Sequence, residues 1–345
     1  YCVVKLRVQN ASQQPGLAEF QHIIGDKAVV LPGATLRAET VVGQTNCWVG
    51  PGICYAAFDV STSPKGNSEI WIMTTKCARN MAYQDFAVNG KVFAEPTPLF
   101  HVEGERLIGL PLSAPHAPYA TIFTLPMATI TEAKGTGVVM SVPSDSPDDY
   151  INFMTLVDKP EYRAKLKIQD EWVAPFAIVP ILRIPNSELG DCSAKVLVDK
   201  LKIVSAKDAD KLEEAKKEAY TQGFYKGYMT AGPFKDKKVA EAKVLMQERM
   251  IADGDAIAYR EPMKEVVSRS GDVCVVALCD QWYIEYGKAE WKAVVEEHLA
   301  GMQCYFKGIR NGFEETLNWL ADWPCSRTFG LGTVLPFSKE DMVID

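Results

Sequence analysis

Apolar and polar residues alternate or cluster differently along the two halves of the chain. Up to about residue 185, β-branched and aromatic runs punctuated by Gly, Pro and Asn predict strands over 3–8, 28–31, 69–74, 119–125 and 137–142. The apolar stretch 173–184 also reads as a strand. Pro175 and Pro180 restrict it to an edge or barrel position, because neither can donate to a ladder. Ser146-Pro147-Asp148-Asp149 opens a helix, with Ile151, Met154, Leu156 and Val157 following. After Asp191 the period becomes helical. Residues 208–220 put Leu212, Ala215 and Ala219 on one stripe and stop near Gly223, and 237–252 form a second helix ending at Gly254. β-like texture returns at 266–267 and 273–278. Residues 290–320 are mostly helical, with Trp291, Val294, Val295, Leu299, Phe306, Phe313, Leu317 and Leu320 as expected core. No internal repeat or low-complexity tract is found, and the most plausible division falls near Glu261-Pro262.

Composition adds limits rather than detail. Hydrophobic residues make up 47% and charged residues 23% of 345, an ordinary globular balance long enough for two units or for one with an appendage. No apolar run approaches the ~18 residues of a membrane span. The first residue is Tyr1 and no secretory signal is visible, so the chain is expected to be a piece of something longer. A net charge of −7 argues against coating long nucleic acid by phosphate neutralisation, while leaving open the reading of an RNA end. Nine cysteines without a C-x-x-C pair argue against a disulfide framework or a zinc site and favour a reducing compartment. Four scattered histidines make a histidine metal cluster unexpected.

Two segments stand apart. Thr35-Leu36-Arg37-Ala38-Glu39-Thr40, leading to Gly43-Gln44-Thr45-Asn46, could line a polar pocket or simply form a β-edge with a turn. Residues 135–149 run from a Gly-rich turn through an apolar strand into an acidic helix start. There Asp145, Ser146, Asp148 and Asp149 are either caps or hold a carboxylate toward a cation. Neither a Walker A loop nor a G-x-G-x-x-G fingerprint is present.

Together and in this order, the two segments resemble the editing insertion (connective polypeptide 1, CP1) of leucyl-tRNA synthetase in its eukaryotic cytosolic form. Residues 34–48 are similar to that family's threonine-rich motif, and residues 135–149 to its second signature, which ends in a universal aspartate. The runs 76–81, 268–272, 275–283 and 325–333 also agree. Neither a HIGH-type nor a KMSKS-type ATP motif is found. The resemblance therefore implies an editing domain over 1–262 and a segment re-entering the class I catalytic core over 263–345. It also implies a mixed α+β fold: a β-barrel-like editing core with surrounding helices, plus a C-terminal largely helical segment. Ala38, where the family usually has Pro, and Val41-Val42, where eukaryotic relatives carry Met and an aromatic, are departures expected to lie in the pocket wall.

A hydrophobic pocket rejects one missing methylene by only ~1–3 kcal/mol, which is why a second, hydrolytic site is useful. The resemblance implies hydrolysis of mischarged aminoacyl-tRNA(Leu), such as a norvalyl or isoleucyl ester, at the terminal adenosine. Asp149 matches the universal aspartate and would clasp the α-ammonium. Thr40 would exclude leucine by crowding, and Thr35 would help the attacked ester or water. Leu36 stands where bacterial relatives have a second threonine. Met140, Asp145 and Ser146 match positions lining the pocket, with Arg37 in the same motif and Thr131 and Lys134 near the terminal nucleotide. Editing would need no cofactor or metal. ATP and Mg would serve the full-length ligase, which would act on tRNA(Leu) as a cytoplasmic monomer, without membrane or DNA. The alternatives are the corresponding insertion of a valyl or isoleucyl synthetase, and a non-catalytic interaction module using the charged faces of 208–220 and 237–252.

Overall fold

The first seven-residue strand is buried along its length except at Arg7, which places it inside a sheet rather than at an edge. The computed structural model describes residues 1–62, 68–84, 86–328, 331–338 and 342–344. Their contacts form two compact units, Tyr1–Ala277 and Leu278–Asp345.

The first unit carries β1 (Cys2–Val8), β2 (Val29–Thr35), β3 (Asn46–Val49), β4 (Cys54–Ser61), β5 (Glu69–Met73), β6 (Ala87–Val88), β7 (Phe100–Glu103), β8 (Pro111–Ser113), β9 (Ile122–Pro126), β10 (Val138–Ser141), β11 (Leu182–Arg183), β12 (Tyr228–Met229) and β13 (Ala256–Ala258). Its helices are α1 (Gln21–Ile24), α2 (Thr75–Ala82), α3 (Pro147–Asp158), α4 (Pro160–Lys165), α5 (Ser193–Lys200), α6 (Ala209–Lys226) and α7 (Val239–Ala252). One sheet runs in the order β10-β3-β9-β8-β1-β2-β5-β4-β6, with β13 also on β1 and β7 also on β4. It is mixed, because β2–β5 and β3–β9 are parallel and the remaining pairs antiparallel.

The α+β class expected from the sequence is present. The barrel is not closed: among the described residues the strand path ends in β10 and β6, and these do not pair. β10 does approach β2, since a Cβ on Gly33 would sit 2.8 Å from the Met140 side chain.

Alternation along β1 sends Val4 and Leu6 into one apolar cluster and Val3 into another. The first cluster joins the sheet to the stripes of α6 (Leu212, Ala215, Ala219) and α7 (Val239, Ala242, Met246, Met250). The second packs Val30, Phe58 and Trp71 on Cys77, Ala78 and Met81 of α2. Each fully buried Val, Leu, Met or Phe side chain in these clusters contributes about 1.5–3 kcal/mol. Thr74 caps α2 by accepting from the Cys77 N–H at 3.4 Å.

Several expectations are corrected here. Residues 173–184 hold only the two-residue β11, because the prolines deny the stretch a ladder. α6 passes through Gly223 to Lys226, since Gly223 is buried within the stripe and packs close to β11. Residues 273–278 form no strand. The Val267–Val273 bridge is isolated.

The second unit is less helical than expected. Two thirteen-residue helices, α8 (Ala289–Gly301) and α9 (Lys307–Trp319), stand beside the hairpin of β14 (Tyr283–Glu285) with β15 (Asp322–Pro324). A three-stranded sheet joins β16 (Ser326–Arg327), β18 (Val343–Ile344) and β17 (Thr333–Val334). Of the expected core, Leu299 and Leu317 are buried, whereas Val294, Phe306 and Phe313 are exposed. Two helices and short strands bury too little apolar surface to enclose them all. Phe329 and Gly330 of the run 325–333 lie outside the described residues.

Candidate functional site

Where β2 ends, the chain leaves the sheet at Thr35 and tightens into a 3-10 turn over Ala38–Gly43. Two hydroxyl bonds shape that exit. The Thr35 Oγ1 accepts the Arg37 N–H at 2.9 Å, and the Thr40 hydroxyl donates to the Arg37 carbonyl at 2.8 Å. The motif is thus neither a plain β-edge nor a loose loop.

The second segment is built from the other side. A Cβ on Gly137 would come within 3 Å of Thr74 and Tyr55, and its φ of +79° suits glycine. β10 follows, pairing antiparallel with β3 so that Met140 faces Cys47. The chain then turns through Val142 into α3, whose N-cap Ser146 accepts the Asp149 N–H at 3.3 Å. Capping therefore falls to Ser146, and the Asp149 carboxylate is free for other contacts. Its Oδ1 accepts the Trp48 indole N–H at 2.9 Å, and its Oδ2 accepts the Val142 N–H at 2.9 Å. Burial raises the Asp149 carboxyl to about 7, against the opposing pull of the Val142, Trp48 and Ser146 hydrogen bonds.

These segments face one another across a cavity of about 550 Å³. The ten residues given a site role from the sequence all line it: Thr35, Leu36, Arg37, Thr40, Thr131, Lys134, Met140, Asp145, Ser146 and Asp149. They do not contribute alike. Leu36, Thr131 and Lys134 are exposed, whereas Thr40, Met140, Asp145, Ser146 and Asp149 are buried. Ala38, Val41 and Val42 do not line the cavity, contrary to expectation. They are buried in the apolar cluster, with Val42 against Gly232.

Arg37 ties three elements together. Its guanidinium pairs with Asp145, its Nε lies 3.1 Å from Glu39 Oε1, and it stacks over the Tyr220 ring of α6 at 4.7 Å. Burial opposes the Arg37 charge, and Asp145 and Glu39 outweigh it, holding the guanidinium protonated. Glu39 is fully buried, so its charge depends on Arg37.

Sequence reading missed the α6 wall. Lys216 and Tyr220, four residues apart on one helix face, line the cavity, and the Lys216 Nζ lies 2.8 Å from Asp148. Their signal was the flank of the Leu212–Ala215–Ala219 stripe, which alone does not reveal what it faces. Trp48 and Glu39 were quoted only as members of a motif. Cys47 is wholly buried, and burial pushes its thiol up, away from nucleophilic use. Among the described residues, no group of three or more His, Cys, Asp and Glu could hold a metal ion. No helix among them is long and apolar enough to cross a membrane.

No protein-family model matches the chain. The cytoplasmic leucine–tRNA ligase of Arabidopsis thaliana is 47% identical over 317 residues, 92% of this chain and 28% of the relative. The chain thus spans under a third of the length of that curated relative. A solved P. falciparum cytosolic leucyl-tRNA synthetase editing domain covers 76% of this chain and 99% of its own at a TM-score of 0.66. At 23% identity it shows the fold alone. The solved GlLeuRS-CP1 is 32% identical with a TM-score of 0.64, covering 76% of this chain and 99% of that one. That solved segment is matched almost from end to end by about three quarters of this chain, and the chain belongs to the leucyl-tRNA synthetase family.

Proposed function

We propose that the cavity hydrolyses the ester of a wrong amino acid, such as norvaline or isoleucine, attached to the 3′ terminal adenosine of tRNA(Leu). This chain would be the editing part (1–262) and a core re-entry segment (263–345) of a longer, monomeric, cytoplasmic enzyme that ligates leucine to tRNA(Leu). The observation that carries the reading is the buried Asp149 carboxylate, oriented by Trp48 and Val142 on the same cavity as Thr35 and Thr40.

Asp149 clasps the substrate's α-ammonium, because a carboxylate with two donors in place still has lone pairs for a third. Thr40, its hydroxyl committed to the Arg37 carbonyl, presents mainly bulk and so discriminates by crowding. Thr35 retains a hydroxyl proton for the ester or the water. Met140 and Ser146 shape the amino-acid side of the pocket, and Leu36, Thr131 and Lys134 the nucleotide side. Arg37 and Asp145 hold the two motifs at a fixed spacing. Water attacks the carbonyl carbon, the carbon–oxygen bond to the ribose breaks, and the ribose oxygen leaves with a proton. Catalysis is by positioning, aided by the substrate's own neighbouring hydroxyl, and no side chain is assigned as general base. ATP and Mg belong to the ligation reaction of the parent.

Deacylation of norvalyl-tRNA(Leu) by Asp149→Asn tests this. The amide keeps the volume and removes the charge, and a loss of at least tenfold in kcat/KM is expected. Unchanged hydrolysis would refute the assignment.

A further inference from the structure

A second cavity, of about 210 Å³, adjoins the first and shares Lys134 with it. Lys76, Lys134 and Lys264 line it around the apolar Met263 and Val273. Three ammonium groups meeting at the rim of one site are notable in a chain of net charge −7.

Two carboxylates share the cavity, and each has its own occupation. Both oxygens of Glu261 lie 3.0 Å from the Gly135 N–H, which they fix, and Oε2 also accepts the Tyr259 hydroxyl at 3.4 Å. Among the described residues, Glu265 reaches only Lys76, at 3.9 Å, and is largely exposed. Lys76 spends one proton on the Ala133 carbonyl at 2.9 Å. Among the described residues, Lys134 and Lys264 have no hydrogen-bond or ion-pair partner. Two unpartnered ammonium groups thus line the second cavity, and one of them, Lys134, also lines the first. Met263, 92% exposed, offers an apolar surface beside them.

We propose that this second cavity seats the phosphodiester on the 5′ side of the terminal nucleoside of a single-stranded RNA. The last nucleoside occupies the main cavity, and the phosphate preceding it rests between Lys134 and Lys264, with the penultimate ribose and base against Met263. Such a chain binds RNA only at its end: a local positive seat beside the pocket replaces the extended basic surface that its overall charge forbids. The proposal rests on the editing reading for the identity of the nucleoside, but not for the phosphate.

The test compares norvalyl-tRNA(Leu) with the norvalyl ester of adenosine, which lacks the phosphodiester, on the full chain. Lys264→Gln, at an exposed position, is expected to raise KM for the tRNA ester about 3- to 10-fold with kcat unchanged. It should leave the adenosine ester unaffected and lower the salt slope of log kcat/KM by about 0.7. Lys264→Arg should restore all three. KM rising equally for both esters, or moving for neither, would overturn the phosphate seat. If the wild type cleaves neither ester, the editing reading fails separately, and binding decides. The trinucleotide CpCpA binding more tightly than adenosine, with the difference lost in Lys264→Gln, supports the seat. Equal binding, or binding of inorganic phosphate alone without preference for the trinucleotide, refutes it.

Discussion

The indole nitrogen of Trp48 and the carboxylate of Asp149 meet at 2.9 Å, joining the middle of a sheet strand to the first turn of a helix. Trp48 is wholly buried, so its ring cannot follow the carboxylate if that group moves. The acid is therefore aimed by the scaffold before any ligand arrives, which is what preorganised binding of an ammonium requires. Trp48→Phe keeps most of the ring and removes the donor. It should cost about 1.5–3 kcal/mol of stability, as for a hydrogen bond to a charged group. It should also raise the Asp149 pKa further, because a bond favouring the charged form is lost. The acid limb of the kcat/KM profile for the mischarged ester would then shift to higher pH. An unmoved limb would mean that this hydrogen bond does not tune the acid.

The pH dependence of the wild type follows from the same group. Burial raises the Asp149 carboxyl to about 7, so below that pH it is neutral and cannot pair with an ammonium. Activity is expected to rise as pH climbs through about 7. It should fall again above about 8, where an α-amine loses its proton. Stability runs the other way. The folded pKa lies above the ordinary carboxylate value, so the folded state binds the extra proton between about pH 4 and 7. That contribution is fully present below pH 4 and lost by about pH 7. Measured by urea unfolding, the advantage of wild type over Asp149→Asn should shrink across this window. An advantage that grew with pH would contradict the burial.

Much of the site was legible because both motifs are local. Threonines, a glycine turn and a capping serine each dictate backbone shape within a few residues, and the eight site residues they supply share one cavity. What escaped was long-range. Tyr220 reaches Arg37 from a helix more than 180 residues away, and nothing in its own periodicity says which sheet edge that helix covers. The strand expected over 173–184 is absent for a local reason. Proline does more than limit this stretch to an edge: it removes the ladder altogether except at Leu182–Arg183. The core expected in 290–320 failed because helical periodicity marks an apolar face without supplying what buries it.

Arg37 offers a stability test. Truncating it leaves Asp145 and Glu39 buried without their counter-charge, and removal of one partner from such a cluster costs about 3–5 kcal/mol. Arg37→Met should lose that much in urea unfolding. Arg37→Met with Asp145→Asn should recover part of it, since one of the stranded charges is gone. A double-mutant cycle would read the difference as a coupling energy of about 1–3 kcal/mol. Strict additivity would show that the two side chains, though paired in space, do not depend on each other.

In the proposed editing reaction, Thr40 is the residue assigned to spare the correct product. It is buried, lines the cavity, and has its hydroxyl bonded to the Arg37 carbonyl, so its contribution to selectivity is the volume of a β-branched side chain. Thr40→Ala removes a methyl and a hydroxyl, a change in pocket size worth about 1–3 kcal/mol of discrimination, or roughly 10- to 200-fold. Under the proposal leucyl-tRNA(Leu) is protected in the wild type and should then be deacylated faster by about that factor, while norvalyl-tRNA(Leu) should change little because it does not meet the obstruction. The lost hydroxyl bond adds a fold cost of only about 0.5–1.5 kcal/mol, which thermal unfolding can check separately. Valine at the same position keeps the branching and loses the hydroxyl. It should spare leucyl-tRNA as threonine does. If valine behaves like alanine instead, the hydroxyl and its grip on the Arg37 carbonyl protect leucine, and crowding does not.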